Sequence, residues 1–290
     1  MKNVKNKSYV STVILLVILL LGIALLLYPT VSDYYNSFHQ TKAIAGYTEE
    51  LTHIDEDRYA ELWSAAEAYN ASLVGRDNDY LLSDEQKAQY DELLNVSGTG
   101  IMGYIEIPTL RSTLPLYHGT DEAVLQIALG HLEWTSLPVG GESTHCVISG
   151  HRGLPSAKLL TDLDRLEPGD VFMLCILDKV LTYEVDQIKI VLPSDTEALK
   201  IVEGDDYCTL VTCTPYGINT HRLLVRGHRI ENAEEARTAV VTADAIQIDP
   251  LIVAPIAAIP ILLLLLIIIL LPNHRQTKLR PKGGEYDEDI

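Results

Sequence analysis

The stretch Tyr207–Arg229 constrains the fold of this chain most strongly. It reads YCTLVTCTPYGINTHRLLVRGHR, so two β-prone runs enclose a loop that contains Pro215 and Gly217. Such runs around a Pro/Gly loop predict a pair of antiparallel strands. Because side chains alternate along a strand, one face of the first strand carries Tyr207, Thr209, Val211 and Cys213.

A cysteine closes the first of these strands and an arginine opens the second. Antiparallel pairing would bring Cys213 close to Arg222. A permanent cation beside a thiol favours the thiolate, which is the reactive form of cysteine. A cysteine nucleophile usually works with an acid/base partner. His151 is the candidate, because it ends the strand-like run CVISGHRG at a turn flanked by glycines.

The other cysteines and the net charge exclude several classes of protein. The four cysteines form no CxxC pair, which argues against zinc ribbons and thioredoxins. Cys146, Cys175 and Cys208 lie in apolar runs and are predicted to be small buried residues. A formal charge of −18 argues against binding of nucleic acid in a basic groove.

Two apolar runs predict membrane-spanning helices. Residues 10–28 carry no charge and follow three lysines, and a helix of this length spans roughly 28 Å. The run is longer than the core of a typical signal peptide, and no small-residue cleavage site follows it. Residues 251–271 form the second run, and four basic residues follow it. Basic flanks on both sides predict two cytoplasmic termini around an extracytoplasmic domain.

The pattern between the two runs changes at residue 101. Residues 32–74 have a helical pattern with Ser32 as the predicted N-cap, and Ser83-x-x-Gln86 predicts a capping box that opens a short helix. Short strands follow, interrupted by two brief helices near 121–129 and 155–162, which is typical of a closed β-barrel or a sandwich.

These patterns divide the chain into seven segments. They are a cytoplasmic N-terminus (1–9), a transmembrane helix (10–28), a helical extension (30–100), a β-domain (101–232), a linker (233–250), a second transmembrane helix (251–271) and a cytoplasmic tail (272–290).

Several motifs resemble those of the sortases. TLVTCTP, followed nine residues after its cysteine by the arginine of HRLLVRGHR, resembles the sortase signature, and SGHRGLPSAKLL resembles the histidine motif of that family. MGYIEIP, LPLYHGT and HLEWTSLPVGG are also similar to the sortase core. The helical extension and the second apolar run resemble class C, the pilin-polymerising sortases of Gram-positive bacteria. The resemblance implies a mainly β fold, an eight-stranded barrel with an N-terminal helical extension and two flanking transmembrane helices.

The resemblance also implies a site and an activity. Cys213 matches the nucleophile, His151 the general acid/base, and Arg222 the arginine that supports the thioester intermediate and its oxyanion. The implied reaction cleaves an LPXTG-type sorting signal between Thr and Gly and joins the acyl group to a lysine amine of a pilin subunit. The implied partners are pilin subunits and the membrane. The residues themselves predict no nucleic acid, cofactor or metal.

Three other functions remain open. A sortase can attach surface proteins to peptidoglycan instead of polymerising pilins. A cysteine peptidase would release the acyl group to water. A non-enzymatic membrane-bound adhesin or scaffold would carry Cys213 as a structural residue.

A possible lid is the point where this chain departs from class C. Class C members often cover the active site with a lid anchored by an Asp-Pro-aromatic motif. The corresponding region reads Asp77-Asn78-Asp79-Tyr80, without the proline. We expect a lid across residues 74–82, in which Asp77 or Asp79 places an acid near Arg222 or Cys213, and Tyr80 places a ring over the cleft. The alternative is a solvated turn between two helices.

Overall fold

A computed structural model describes residues 3–75 and 82–232, with side chains from residue 12 onwards. Most of the predicted lid, with Asp77, Asp79 and Tyr80, lies outside the described residues. So do the predicted linker, second transmembrane helix and cytoplasmic tail.

Three helices precede the β-domain. They are α1 (Asn3–Leu51), α2 (Glu56–Leu73) and α3 (Asp84–Glu92). The predicted capping box of α3 is confirmed, because the Ser83 side chain accepts from the backbone N–H of Gln86 and the Gln86 side chain accepts from that of Ser83.

The predicted helix start at Ser32 is wrong. Ser32 lies inside α1, which continues without a break from the apolar run through Pro29. The actual interruption follows Leu51, where Asp55 caps the next helix by accepting from the backbone N–H of Arg58 at 2.8 Å. A side chain that satisfies a free N–H of the first turn fixes the start of a helix there.

Within the described residues, α1 is the one helix that is long and apolar enough to cross a membrane, judged by its length and composition. The 18-residue apolar window near the N-terminus has no residue buried against the rest of the chain. This finding indicates membrane anchoring by the N-terminal helix.

Eight strands follow the helices. They are β1 (Ile101–Ile107), β2 (Ser112–His118), β3 (Leu129–His131), β4 (Thr144–Ser149), β5 (Val171–Ile176), β6 (Lys179–Val191), β7 (Asp206–Thr214) and β8 (His221–Ile230). A short helix α4 (Glu122–Leu125) lies where one brief helix was predicted. The helix predicted near 155–162 is absent; turns occupy this segment, in which Leu159 has a positive φ of 39°.

The strands close into a barrel in the order β1-β2-β3-β4-β7-β8-β6-β5. Strands β2 and β3 pair in parallel, as do β4 and β7, and the other neighbouring pairs are antiparallel. The predicted eight-stranded barrel is therefore confirmed. The β4–β7 pairing matters most for the site, because it aligns the ends of two strands that are distant in the sequence.

Apolar side chains from the strands fill the barrel. Each strand contributes buried residues, among them Ile105, Leu116, Leu129, Ile148, Phe172, Leu181, Leu210 and Val225. The helices α2 and α3 add Leu62, Ala66, Tyr69 and Tyr90 to the same cluster. The helical extension is therefore part of the core of the domain.

Buried hydrogen bonds also attach the extension to the barrel. The Tyr47 hydroxyl donates to the carbonyl of Met102 at 2.9 Å and accepts from the backbone N–H of Leu177 at 2.8 Å. The Asn70 side chain donates to the carbonyl of Leu137 at 3.1 Å and accepts from its N–H at 2.7 Å. Each of these two side chains makes two hydrogen bonds with backbone groups, and these bonds fix the helices in position.

Candidate active site

The hairpin β7–β8 presents the cysteine and the arginine together. In the antiparallel register Cys213 lies directly opposite Arg222. The connecting turn is closed by the N–H groups of Ile218 and Asn219, which both donate to the carbonyl of Pro215 at 3.0 Å. The prediction that this stretch forms paired strands with the two residues adjacent is confirmed.

His151 reaches the same place from β4. Strand β4 runs parallel to β7, with Ser149 opposite Val211, and the N–H of Gly150 donates to the carbonyl of Val211 at 3.1 Å. The Thr212 hydroxyl donates to the carbonyl of Gly150 at 2.8 Å. Extending this register by two residues beyond Ser149 aligns His151 with Cys213.

Gly150 permits this arrangement because it has no side chain. A Cβ atom at this position would lie 2.5 Å from a methyl carbon of Leu129 and 2.9 Å from two carbons of Leu160. These distances are shorter than real Cβ contacts, so any larger residue would push β4 away from its neighbours.

The three residues share the outer face of the barrel. Cys208 and Leu210 belong to the barrel core, whereas Val211 and Leu224 form a second, smaller cluster outside it. Alternation then assigns Cys213 to the outer face with Val211, as the sequence predicted. The site therefore lies on the outside of the barrel, where β7 ends and β8 begins.

Exposure distinguishes Cys213 from the other cysteines. Cys146, Cys175 and Cys208 are buried, as predicted, and Cys213 is partly exposed. Burial raises the pKa of Cys175 to about 12 and that of Cys208 well above its ordinary value. The thiols of Cys175 and Cys208 are thereby kept protonated and unreactive.

His151 has one ring nitrogen without a hydrogen bond to the described part of the chain. Its side chain is 29% exposed, and its Nε2 atom is buried without a hydrogen-bond partner among the described residues. A carboxylate oxygen of Glu122, on α4, lies 4.0 Å from this nitrogen. An ion pair with Glu122 is therefore within reach of this nitrogen when the ring is protonated.

The guanidinium of Arg222 is oriented by backbone carbonyls. Its Nη1 donates to the carbonyl of Asn219 at 3.3 Å and to that of His221 at 3.2 Å. In the part of the chain that the structure describes, Arg222 forms no ion pair. Its charge is therefore available to a developing anion.

Arg152, which follows His151 in the chain and contacts the residue after Cys213, was not among the residues predicted for the site. Its side chain is 10% exposed, forms an ion pair with Asp164, and lies 3.5 Å from the hydroxyl of Thr214. Its guanidinium carbon also lies 6.0 Å from the centre of the Tyr216 ring. Arg152 thus connects the loop after β4 to the turn after β7. Only the adjacency of Arg152 to His151 hinted at this role, because nothing in the sequence pairs it with Asp164.

No group of three or more His, Cys, Asp or Glu side chains in the described ranges is arranged to hold a metal ion. Two other histidines, the buried His145 and the half-buried His118, contact backbone carbonyls. His145 contacts the carbonyl of Lys200 at 2.8 Å and the hydroxyl of Thr209 at 2.7 Å, and His118 contacts the carbonyls of Gly100 and Leu93.

Comparison with known proteins agrees with this geometry. The family model of the sortase domain matches residues 105–230. Sortase D of Bacillus subtilis (strain 168) is 30% identical over 131 residues, which are 44% of this chain and 63% of that protein. The chain thus matches less than two thirds of the length of this relative.

Solved structures extend the match into the helical region. Sortase C1 from Streptococcus agalactiae is 50% identical, with a TM-score of 0.65, and the match covers 66% of this chain and 100% of that chain. Sortase C from Streptococcus pneumoniae is 46% identical, with a TM-score of 0.60 and coverage of 66% and 97%. That structure is described as bearing on catalysis and pilin substrate specificity. The chain therefore belongs to the sortase family of cysteine transpeptidases, and these similar structures are class C sortases.

Proposed function

We propose that this protein is a membrane-anchored transpeptidase that cleaves an LPXTG-type sorting signal between Thr and Gly and joins it to a lysine amine of a pilin subunit. The observation that carries the proposal is the meeting of Cys213, His151 and Arg222 at the ends of three adjacent strands. A nucleophile, a proton carrier and a fixed cation are the three groups that transfer of an acyl group requires.

The first half-reaction forms a thioester. The thiolate of Cys213 attacks the carbonyl carbon of Thr, and Arg222 stabilises the oxyanion as it develops. Because a guanidinium is always charged, it does this at any working pH. Protonated His151 gives its proton to the departing glycine amine, so the Thr–Gly bond breaks and the acyl group stays on sulfur.

The second half-reaction transfers the acyl group to an amine. The neutral lysine amine attacks the thioester carbon, and neutral His151 takes the one proton that this nitrogen loses. The carbon–sulfur bond breaks, and Cys213 leaves as the thiolate. The product is an isopeptide bond, and no co-reactant is consumed.

Two observations and one prediction from the sequence favour a pilin lysine over the peptidoglycan acceptor. The two class C structures match through the helical extension, which packs into the core here. One of those relatives is described in terms of pilin substrate specificity. The predicted second membrane span at 251–271 is a further likeness to class C.

The proposed topology places the catalytic domain outside the cell. The apolar part of α1 anchors the protein, and the basic leader holds the N-terminus in the cytoplasm. The span at 251–271 would return the chain to the cytoplasm, which leaves residues 30–250 on the outer surface. A thioester enzyme in this location meets secreted proteins that are still held at the membrane.

The lid also stays a proposal. The segment that would form it begins after Leu73, which is buried, and ends at Leu82, which packs against the barrel core. Both ends are therefore attached to the domain. We propose that Asp77 or Asp79 pairs with Arg222 or Cys213 and that Tyr80 covers the cleft.

A competition between acceptors tests the proposed function. Residues 30–250 would be incubated with an LPXTG-type peptide and equal amounts of a lysine-bearing pilin peptide and an oligoglycine peptide. The expected main product is the isopeptide with lysine, and a pilin peptide with Arg in place of that Lys should give none. A product on oligoglycine would instead support anchoring to peptidoglycan. Hydrolysis alone, in the presence of both amines, would support a peptidase.

A further inference from the structure

An exposed aromatic stripe follows the apolar run on α1. It consists of Tyr28, Val31, Tyr34, Tyr35 and Phe38, each between 57% and 62% exposed. Exposed apolar side chains on one helix face mark a surface that another apolar phase or partner covers.

The opposite face of the same helix segment forms hydrogen bonds with loops of the β-domain. Asp33 accepts from the backbone N–H of Lys158 at 2.7 Å, and the Asn36 side chain donates to the carbonyl of Ser156 at 2.7 Å. The Gln40 side chain donates to the carbonyl of Ile127 at 2.7 Å. A helix turns about 100° per residue, so these three anchors lie almost opposite the stripe.

The stripe has clear limits along the helix. It begins at the end of the uncharged apolar run, next to Pro29. Proline inside a helix removes one hydrogen bond and commonly bends the axis. Beyond Phe38 the same face carries Lys42 and Glu49, which are exposed charged residues. The apolar character is therefore confined to about three turns beside the apolar run.

We propose that this stripe lies in the headgroup region of the phospholipid bilayer and holds the catalytic barrel, through the opposite face of α1, at the membrane surface. Tyrosine rings with an apolar body and a polar hydroxyl favour this depth of the bilayer. The stripe carries no charge, and it is continuous with the apolar run that indicates a membrane span. Pro29 is a position at which the helix can bend, and such a bend would let the segment leave the span and lie along the surface.

This contact determines where the active site opens. Ser156 and Lys158, which α1 binds, belong to the loop that begins at His151, and the N–H of Leu160 closes that loop onto the carbonyl of His151 at 3.2 Å. One helix segment therefore contacts lipid on one side and the histidine loop on the other. The purpose of this membrane contact rests on the proposed function: the active site would receive sorting signals from proteins held in the same membrane.

Depth-dependent quenching tests the contact directly. The full chain would be reconstituted in phosphatidylcholine vesicles, as Phe38→Trp and, for control, as Glu49→Trp on the same helix face. Lipids brominated near the headgroup quench indole fluorescence at short range. After subtraction of the signal of the parent chain, which retains Trp63 and Trp134, we expect several-fold stronger quenching at position 38 than at 49. Equal quenching at the two positions would overturn the proposal. Shielding of Trp at position 38 from acrylamide without quenching by the brominated lipid would also overturn it, because a protein partner would then cover the stripe.

A second measurement separates this inference from the proposed function. The variant Val31→Ser, Tyr35→Ser, Phe38→Ser should acylate Cys213 with a soluble sorting peptide at the parent rate. With the same peptide attached to a lipid in the vesicles, the rate should fall about tenfold or more, on the order of a local-concentration effect. Equal rates of the variant and the parent on the lipid-attached peptide would contradict the inference. If the parent itself fails to react with the soluble peptide, the proposed function fails, and the quenching result still decides the membrane contact.

Discussion

Cys213 lies directly opposite Arg222 on β7 and β8, so a single register position of the barrel presents both the thiol and the cation. The carbonyls of Asn219 and His221 fix one end of the guanidinium. The position of the charge at the site is thus determined by the hairpin turn as well as by the strands.

Arg222→Lys should therefore be a damaging change, although it keeps the charge. Arg222 contacts both turn carbonyls through Nη1 alone, and a lysine ammonium in that place would have no second nitrogen to turn towards the site. We expect acylation of Cys213 to slow by about 100-fold, the scale of losing one oxyanion donor. Arg226→Lys is the matched control, because Arg226 lies four residues later on the same strand but pairs with Asp186. Stopped-flow or quenched-peptide assays of both variants would show the difference. Similar rates for Arg222→Lys and wild type would contradict the assigned role.

Gly153→Ala should disturb the turn beside the nucleophile. Gly153 has a φ of +76°, and an added Cβ would lie 2.9 Å from the ring of Tyr216. Gly169→Ala is the control, since its φ is +95° but nothing lies within 4 Å of the added atom. Both changes should lower the free energy of unfolding by about 1–2 kcal/mol through left-handed strain. Only Gly153→Ala should also slow acylation several-fold, and Tyr216→Ala should partly restore the rate. Equal acylation rates in the two glycine variants would argue against a functional contact between the loops.

His145 should make the fold sensitive to acid. Its pKa is lowered to about 4, chiefly by burial; the hydrogen bond to the Lys200 carbonyl opposes this shift and the nearby Arg226 adds to it. Because the unfolded chain has a histidine pKa of about 6.5, the unfolded state binds more protons between these values. The contribution of His145 is therefore complete above about pH 6.5 and is lost as pH falls towards 4, which amounts to about 3 kcal/mol.

His145→Gln should remove this dependence. Urea unfolding of residues 30–250 between pH 4 and 7 would give the free energy of unfolding at each pH. The curve of the variant should be flatter than that of the wild type, whatever its absolute stability. His53→Gln, at an exposed position on the surface, should leave the slope unchanged. Parallel curves for wild type and His145→Gln would contradict the prediction.

Removal of the proposed lid should expose the thiol. Replacing Asp79 and Tyr80 by Ala should speed the reaction of Cys213 with a small thiol reagent, because neither a ring nor an ion pair would then cover the cleft. Asp91→Ala, on the exposed surface of α3, should react at the wild-type rate. An unchanged rate in the double variant would leave a solvated turn as the better description of residues 74–82.

Short sequence patterns predicted the features that depend on residues close together in the chain. The alternation from Tyr207 to Cys213 and the Pro/Gly loop predicted the hairpin and the approach of Arg222. The capping box at Ser83 was also readable, because it needs only residues three apart. His151 could be selected from its turn and from the resemblance to sortases, but its parallel alignment with β7 depends on a pairing between strands about sixty residues apart.

The wrong predictions at Ser32 and at 155–162 have a common physical cause, which is contact with residues distant in the sequence. Ser32 has a good capping side chain, yet α1 continues through it because tertiary contacts, such as that of Asp33 with Lys158, stabilise the helix on both sides. The segment 155–162 had a helical pattern, but its backbone is committed to α1 and to His151. The ion pair of Arg152 with Asp164 depends on the same loop geometry. None of these contacts is encoded in a short window of sequence.

The most direct test of the central claim is mass spectrometry of residues 30–250 mixed with an LPXTG-type peptide, for wild type and Cys213→Ala. We expect a mass increase on wild type alone, equal to the peptide without the residues after its Thr. The same measurement on the variant with Asp79 and Tyr80 replaced shows whether a closed lid blocks the reaction. The adduct should form faster in this variant. An adduct on Cys213→Ala, or no adduct on any form that carries Cys213, would contradict acyl transfer through this residue.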